Sequence, residues 1–289
     1  MGNYMELESE AFTNLDRTPF PVRHNLAHHP LFDLDRLLEL SRRLPPGCAE
    51  FNKGDVPVYV SPEQTPTTGL TLQDTIRTIE TSGSWVVLKQ VQEDPEYRSL
   101  LDRCLDDVEA LSGETVDWMS DRVGFIFISS AGAITPCHLD PESNFLLQIS
   151  GTKTIHIGDL SLVNPLDLER YFTGGHRNVS PPEEFESRAG KFTLEPGDGV
   201  HVPFTAPHWV ANGEGVSVSF SVTFQTPQNR RSAIVHKVNA HLRKTGIDPA
   251  EPGQSRIRDT IKVCGFNAAR RARKIAKVAR TRNHSTGGV

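Results

Sequence analysis

The chain has 289 residues, of which 37% are hydrophobic and 23% charged, and its formal net charge is −5. These values are typical of an ordinary soluble globular protein that is long enough to bury a substantial core. Because no run of 18 apolar residues occurs and the acidic start lacks a secretory leader, the sequence predicts no membrane span and a cytoplasmic location. The four cysteines are scattered, which favours reduced thiols over a disulfide framework.

The first part of the chain, residues 1–115, is predicted to be a mixed α and β region packed on a core. Residues 31–44 repeat apolar side chains at helical spacing until two prolines and a glycine stop the pattern. Residues 84–89 are rich in β-branched and aromatic side chains, which favours a strand. Residues 95–111 return to a helical period.

From Val123 the sequence changes to short β-rich runs separated by glycine, proline and asparagine. Such spacing is typical of a sandwich or barrel, so residues 116–226 are predicted to form a jelly-roll or double-stranded β-helix core in an α+β protein. Residues 212–215, Asn-Gly-Glu-Gly, predict a tight hairpin between two of these strands. Residues 227–289 are predicted to be a helical, basic region.

Charge is distributed unevenly along the chain. From Gln254 onward there are ten lysines or arginines and one acid, so this part carries +9 and the remainder −14. Homodimer formation through the C-terminal helices is the first interpretation, and a nucleic acid or another anionic partner is the second. A solvated basic helix face is an equally good reading.

The stretch around His138 carries the clearest chemical signal. His138 and Asp140 are two residues apart, and side chains at that spacing point the same way from an extended strand. A third ligand is expected within residues 196–209, which contain both His201 and His208. Two histidines and one carboxylate around a metal with open positions are typical of non-haem Fe(II) oxygenases.

Several short motifs recur here in a fixed order, namely Thr-Pro-x-His-x-Asp, Asn-Phe, Gln-Ile-x-Gly-x-Lys, Pro-Gly-Asp and a final histidine. Over residues 132–223 the chain therefore resembles the cupin-like branch of the Jumonji-C superfamily, whose members are Fe(II) and 2-oxoglutarate dependent oxygenases. The motifs are most similar to those of the asparaginyl hydroxylase that acts on hypoxia-inducible factor. The resemblance implies the following roles: His138, Asp140 and His208 as iron ligands, Lys153 and Thr135 on the distal carboxylate of 2-oxoglutarate, and Asn144 and Ser221 lining the cosubstrate pocket.

Residue chemistry agrees with these roles but leaves alternatives. A buried ammonium such as that of Lys153 needs an anion, although a solvated lysine on an edge strand is the alternative. Thr135 can donate a hydroxyl hydrogen bond, or can simply be a good strand former. Residues 216–222 alternate strictly, so their serines share one face, which looks into a hydrated cavity or out to solvent.

The sequence thus predicts a dioxygenase that uses Fe(II), 2-oxoglutarate and O₂ to hydroxylate a peptide side chain, an amino acid or a small molecule, releasing succinate and CO₂. One alternative is oxidative N-demethylation at the same site. Another is a cupin-like metal-binding or sensor protein without catalysis, because Ser221 stands where the asparaginyl hydroxylase has an amide side chain. Zinc or manganese in the site is a weaker alternative.

Overall fold

The computed structural model describes residues 2–112 and 118–285. Two compact units divide the chain, one containing residues 1–163 and 176–226 and the other residues 164–175 and 227–289. The boundary that the sequence suggested at residue 115 falls on residues 113–117, which lie outside the described residues. The division into three regions therefore stays a prediction.

The secondary structure alternates between short strands and helices in the first hundred residues and is dominated by strands from 120 to 225. The strands are β1 (Met5–Glu6), β2 (Phe20–His24), β3 (Ala49–Lys53), β4 (Ser84–Lys89), β5 (Ser120–Ser129), β6 (Ile134–His138), β7 (Ser143–Ser150), β8 (Lys153–Ile157), β9 (Gly190–Leu194), β10 (Asp198–Val202), β11 (His208–Asn212) and β12 (Ser217–Gln225). The α-helices are α1 (Leu34–Arg43), α2 (Leu72–Arg77), α3 (Pro95–Ser112), α4 (Pro165–Phe172), α5 (Phe185–Arg188), α6 (Pro227–Lys244) and α7 (Arg256–Ser285). None of the helices in the described residues is long and apolar enough to cross a membrane.

The strands form two antiparallel sheets that face each other. One sheet has eight strands in the order β1-β2-β10-β7-β12-β5-β4-β3, and the other has four in the order β6-β11-β8-β9. Side chains from both sheets form one apolar cluster between them, including Leu146 and Val202 from the large sheet and Ile155 and Val210 from the small one. This arrangement confirms the predicted α+β class with a jelly-roll core.

The large sheet is buried on both faces. On β12, Phe220 and Phe224 point outward into the main core, which α1, α2 and α3 help to build. The alternating hydroxyl face is also buried, and Ser219 donates a hydrogen bond of 2.8 Å to the side-chain oxygen of Gln148 on β7. The hydroxyl face therefore lines the barrel interior and is not a wet outer surface.

The hairpin predicted at residues 212–215 is wrong. β11 pairs with β6 and β8 in the small sheet, whereas β12 pairs with β5 and β7 in the large sheet. The Asn-Gly segment thus carries the chain from one sheet to the other. The Asn-Gly sequence favours a tight bend, but it does not determine whether the strands before and after the bend pair with each other.

The turn before β8 requires glycine. Gly151 has φ of +66°, and a Cβ added there would lie 2.2 Å from the carbonyl oxygen of Val216. We expect Gly151→Ala to lower the free energy of unfolding by about 3 kcal/mol, because backbone strain and overlap with a neighbouring strand add. Gly132→Ala is the matched control, since Gly132 has the same φ but no atom within 4 Å. Its expected cost is about 1 kcal/mol, and equal losses in urea denaturation would contradict this account.

Candidate functional site

Three side chains converge at the end of the small sheet. His138 is the last residue of β6 and His208 the first of β11, and the two are paired across the strands. Their Nε2 atoms lie 3.8 Å and 3.5 Å from Oδ2 of Asp140. The ligand atoms of all three residues lie within 4.8 Å of one another, which is close enough to share one metal ion.

Hydrogen bonds to the backbone orient both imidazoles. Nδ1 of His138 donates to the carbonyl oxygen of Pro136 at 2.8 Å, and Nδ1 of His208 donates to that of Ala206 at 2.9 Å. The proton on Nδ1 leaves the Nε2 lone pair of each ring facing Asp140. Burial, reinforced by the second histidine, lowers the pKa of His138 to about 3, so the ring is neutral at neutral pH.

The predicted strand through both His138 and Asp140 is wrong, because β6 ends at His138 and Asp140 lies in the loop that follows it. Instead, the loop is held by two contacts. The backbone N–H of Thr205 donates to the carbonyl oxygen of Asp140 at 3.0 Å, and the side chain of Gln225 donates to that of Pro141 at 2.5 Å. Burial works to raise the pKa of Asp140, but the histidines and Arg177 outweigh it and the pKa is lowered. The group is a carboxylate.

His201 has a different role from His208. Its ring is fully buried, Nδ1 donates to the carbonyl oxygen of Asn144 at 3.1 Å, and Nε2 accepts from the backbone N–H of Asp16 at 3.1 Å. Both ring nitrogens are therefore occupied, and no lone pair is left for a metal. His201 joins residues near the N-terminus to the barrel.

The three candidate ligands border an inner cavity that also contains Lys153. Lys153 begins β8 and is 4% exposed, with no ion pair or hydrogen bond to any described residue. Burial alone lowers the pKa of Lys153 to about 7. The amine lies over the ring of Phe127, whose centroid is 5.9 Å from Nζ. A buried cationic amine without an ion pair or hydrogen bond is costly, so the structure provides a place where an anion would be stabilised.

Of the other predicted pocket residues, two line the inner cavity and one lies behind its wall. Thr135 and Asn144 line the inner cavity together with the candidate ligands and Lys153. Ser221 is outside the lining set, and its hydroxyl donates a hydrogen bond of 2.7 Å to the side-chain oxygen of Asn144. Ser221 therefore acts on the cavity through Asn144.

A second cavity, of about 260 Å³, adjoins the first and shares Thr135 and His138 with it. Its wall includes Glu50 from β3, Trp85 from β4 and Arg177, which precedes β9 in the chain. Sequence reasoning missed these three residues. They come from segments far apart in the chain and carry no motif, so only the strand order could have brought them to the site.

Comparison with known proteins assigns the domain. A family model described as the JmjC domain matches residues 114–231. This part of the chain is therefore similar to the JmjC domain. Among curated relatives, HSPB1-associated protein 1 of Rattus norvegicus is 27% identical over 153 residues, which is 44% of the chain and 30% of that protein. Lysine-specific demethylase 8 of Xenopus tropicalis is 27% identical over 139 residues, 45% of the chain and 30% of that protein. The chain thus matches less than a third of the length of these relatives.

Solved structures agree with the assignment at the level of the fold. An X-ray structure of YcfD from Escherichia coli has a TM-score of 0.54 and 17% identity, and the match covers 93% of the present chain and 69% of the YcfD chain. A structure of the same ribosomal oxygenase with cobalt and 2-oxoglutarate has a TM-score of 0.50 and 18% identity, with 93% and 68% covered. The fold expected from the motifs is confirmed, and the match to the JmjC model agrees with the family that the motifs suggest.

Proposed function

We propose that the protein is an Fe(II) and 2-oxoglutarate dependent dioxygenase that hydroxylates a peptide side chain, an amino acid or a small molecule. One observation carries the proposal. The His-Asp-His group and the ammonium of Lys153, which has no ion pair or hydrogen bond with any described residue, border the same buried cavity, so a divalent cation and a dianion can be held side by side. The JmjC domain adds support, because its family uses this metal and this cosubstrate.

The donor set fits ferrous iron. Two neutral imidazoles and one carboxylate supply a single negative charge and leave three coordination positions open, enough for a bidentate keto acid and O₂. When bound, iron and 2-oxoglutarate supply the oxidising chemistry, with succinate and CO₂ as by-products. His138, Asp140 and His208 would hold the metal.

The remaining side chains would hold the cosubstrate. Lys153 would pair with the distal carboxylate of 2-oxoglutarate, and Thr135 would donate a hydroxyl hydrogen bond to the same group. Asn144, held by Ser221, would complete the polar wall. The apolar lining, which includes Phe127, Leu146 and Ile155, keeps water away and strengthens each of these contacts.

Succinate formation tests the proposal. Protein supplied with Fe(II), 2-oxoglutarate and O₂ is expected to form succinate slowly without a prime substrate and faster with one. Mass spectrometry of a stimulating substrate should show addition of one oxygen atom. Absence of succinate with iron bound would favour the non-catalytic sensor alternative.

Oxidative N-demethylation stays the alternative reaction at this site. It begins with the same hydroxylation, on a methyl carbon next to nitrogen, and then releases formaldehyde. Detection of formaldehyde together with loss of a methyl group from the substrate would show that the reaction is demethylation and not stable hydroxylation. The cytoplasmic location also stays a prediction.

A homodimer through the C-terminal helices is the proposed assembly. Three isoleucines lie along one side of α7, namely Ile257 (75% exposed), Ile261 (66%) and Ile275 (70%). Their spacing continues through the exposed Cys264 and Ala268, so they form one apolar stripe. Asp259 is buried on another side of the helix. The stripe supports pairing of two α7 helices.

Salt should strengthen such a dimer. Because α7 is rich in lysine and arginine, two copies repel each other, and screening relieves the repulsion. Sedimentation velocity is expected to show a dimer whose dissociation constant falls as sodium chloride rises. Ile261→Lys should abolish it, whereas Ile247→Lys, at an exposed site outside α7, should not. A monomer at every salt concentration would contradict the homodimer. Binding of a nucleic acid to the basic helix stays a prediction, and salt would weaken that binding instead of strengthening it.

A further inference from the structure

The second cavity leads to the candidate metal centre from the outside. It is bounded by β3, β4, β6 and residues 176–178, and it reaches the inner cavity at Thr135 and His138. Any molecule that fills it lies next to a proposed iron ligand. The charges on its wall therefore decide which side chain can approach the metal.

Arg177 is held firmly beside this entrance. Its carbonyl oxygen accepts from the backbone N–H of Leu139 at 3.0 Å, and the N–H of Val179 donates to the carbonyl oxygen of Cys137 at 3.1 Å. Asn178 between them is bridged to His138, and its side chain donates to the carbonyl oxygen of Val60 at 2.9 Å. Residues 177–179 thus extend the small sheet next to the proposed metal ligands.

The guanidinium group of Arg177 keeps its hydrogen-bonding capacity. Its side chain is 26% exposed and lies 3.7 Å from the carboxylate of Glu50, with no hydrogen bond to any described residue. Glu50 is the one acidic side chain among the described lining residues. It already accepts a hydrogen bond of 2.7 Å from Lys89. Burial works to raise the pKa of Glu50, but the cations of Arg177 and Lys89 outweigh burial and hold that pKa below its usual range.

We propose that this cavity receives the prime substrate and admits a side chain with an acceptor oxygen and no positive charge. The inference rests on the proposed oxygenase function. Arg177 supplies charge-assisted N–H donors to an amide or carboxylate oxygen. A methylated ammonium or guanidinium group meets the cation of Arg177 in a partly buried space, where like charges repel strongly. The acidic side chain of Glu50 offers it little compensation, because that carboxylate is already paired with Lys89. The cavity thus selects for hydroxylation of a neutral or acidic residue and against N-demethylation.

Four probes with the same backbone test this selection, namely the N-acetyl amides of asparagine, aspartate, lysine and dimethyl-lysine. Succinate is measured with Fe(II), 2-oxoglutarate and O₂, above the rate without probe. We expect the asparagine or aspartate probe to raise the rate several-fold and the two lysine probes to leave it unchanged. Arg177→Glu should shift the ratio of the lysine to the aspartate response by about tenfold or more. Arg98→Glu, on the exposed side of α3, is the matched control and should not shift it.

Binding of the same probes to zinc-loaded protein, followed by saturation-transfer NMR, gives a readout that needs no turnover. Arg177→Gln guards against misfolding of the charge-reversed variant and should weaken binding of the aspartate probe most and of the asparagine probe to a smaller extent. The inference would be overturned if the lysine probes bound or stimulated as well as the other two, or if no probe bound. An unchanged ratio of the lysine to the aspartate response in Arg177→Glu would also overturn it. Loss of basal succinate while the binding preference persists would instead count against the oxygenase function.

Discussion

Replacing His138 with alanine should remove iron binding and lower the rate of succinate formation by about 1,000-fold or more, because the metal loses one of three protein ligands. The fold should survive, since β6 stays paired with β11 at Thr135 and Ile134, and the backbone N–H of Leu139, the next residue, donates to the carbonyl oxygen of Arg177. Metal content after anaerobic loading and succinate production measure the two effects.

His241→Ala is the matched control for this change. His241 is an exposed histidine on α6, and its loss should leave both metal content and rate unchanged. Full iron loading of the His138 variant would contradict the ligand assignment, whatever the rate.

Lys153→Met should have opposite effects on binding and stability. Loss of the ammonium removes the partner of the distal carboxylate, so 2-oxoglutarate affinity should fall by about 100-fold or more. Without cosubstrate, however, the variant should be more stable by about 2 kcal/mol, because a buried, unpaired cation is replaced by an apolar group of similar length. Calorimetric titration and urea denaturation measure the two effects.

The stability difference should depend on pH in a defined direction. Burial lowers the pKa of Lys153 to about 7, whereas a lysine in the unfolded chain titrates near 10.5. Between these values the unfolded chain binds more protons, so this group destabilises the wild type fully below pH 7 and less as pH rises towards 10. The advantage of Lys153→Met should therefore shrink over that range. Lys191→Met, on an exposed site of β9, should show neither effect, and a destabilised Lys153→Met would contradict the account.

Much of this site could be predicted from the sequence because its groups lie close together in the chain or in recognisable motifs. Four of its side chains fall within 16 residues, namely His138, Asp140, Asn144 and Lys153. The β-rich pattern around them predicts the barrel. The choice of His208 over His201 followed from the motif order. The structure gives the physical reason, since both ring nitrogens of His201 are engaged elsewhere.

Other features depend on which strands become neighbours, and local patterns do not contain that information. The Asn-Gly segment at 212–213 looked like a hairpin but connects two sheets. Glu50 and Arg177 are 127 positions apart, yet their charged groups come within 3.7 Å at the entrance to the site. Asp140 reaches the histidines from a loop that Thr205 and Gln225 hold in place, which strand periodicity does not describe.

Anaerobic titration of the protein with Fe(II) in the presence of 2-oxoglutarate tests the central claim most directly. A keto acid bound to ferrous iron in this site should give a weak visible charge-transfer band that saturates at about one iron per chain. The wild type is predicted to show this band, and His138→Ala and Lys153→Met to lack it. A wild type without the band, or a band of unchanged intensity in His138→Ala, would contradict the assignment of this cavity as the iron and 2-oxoglutarate site.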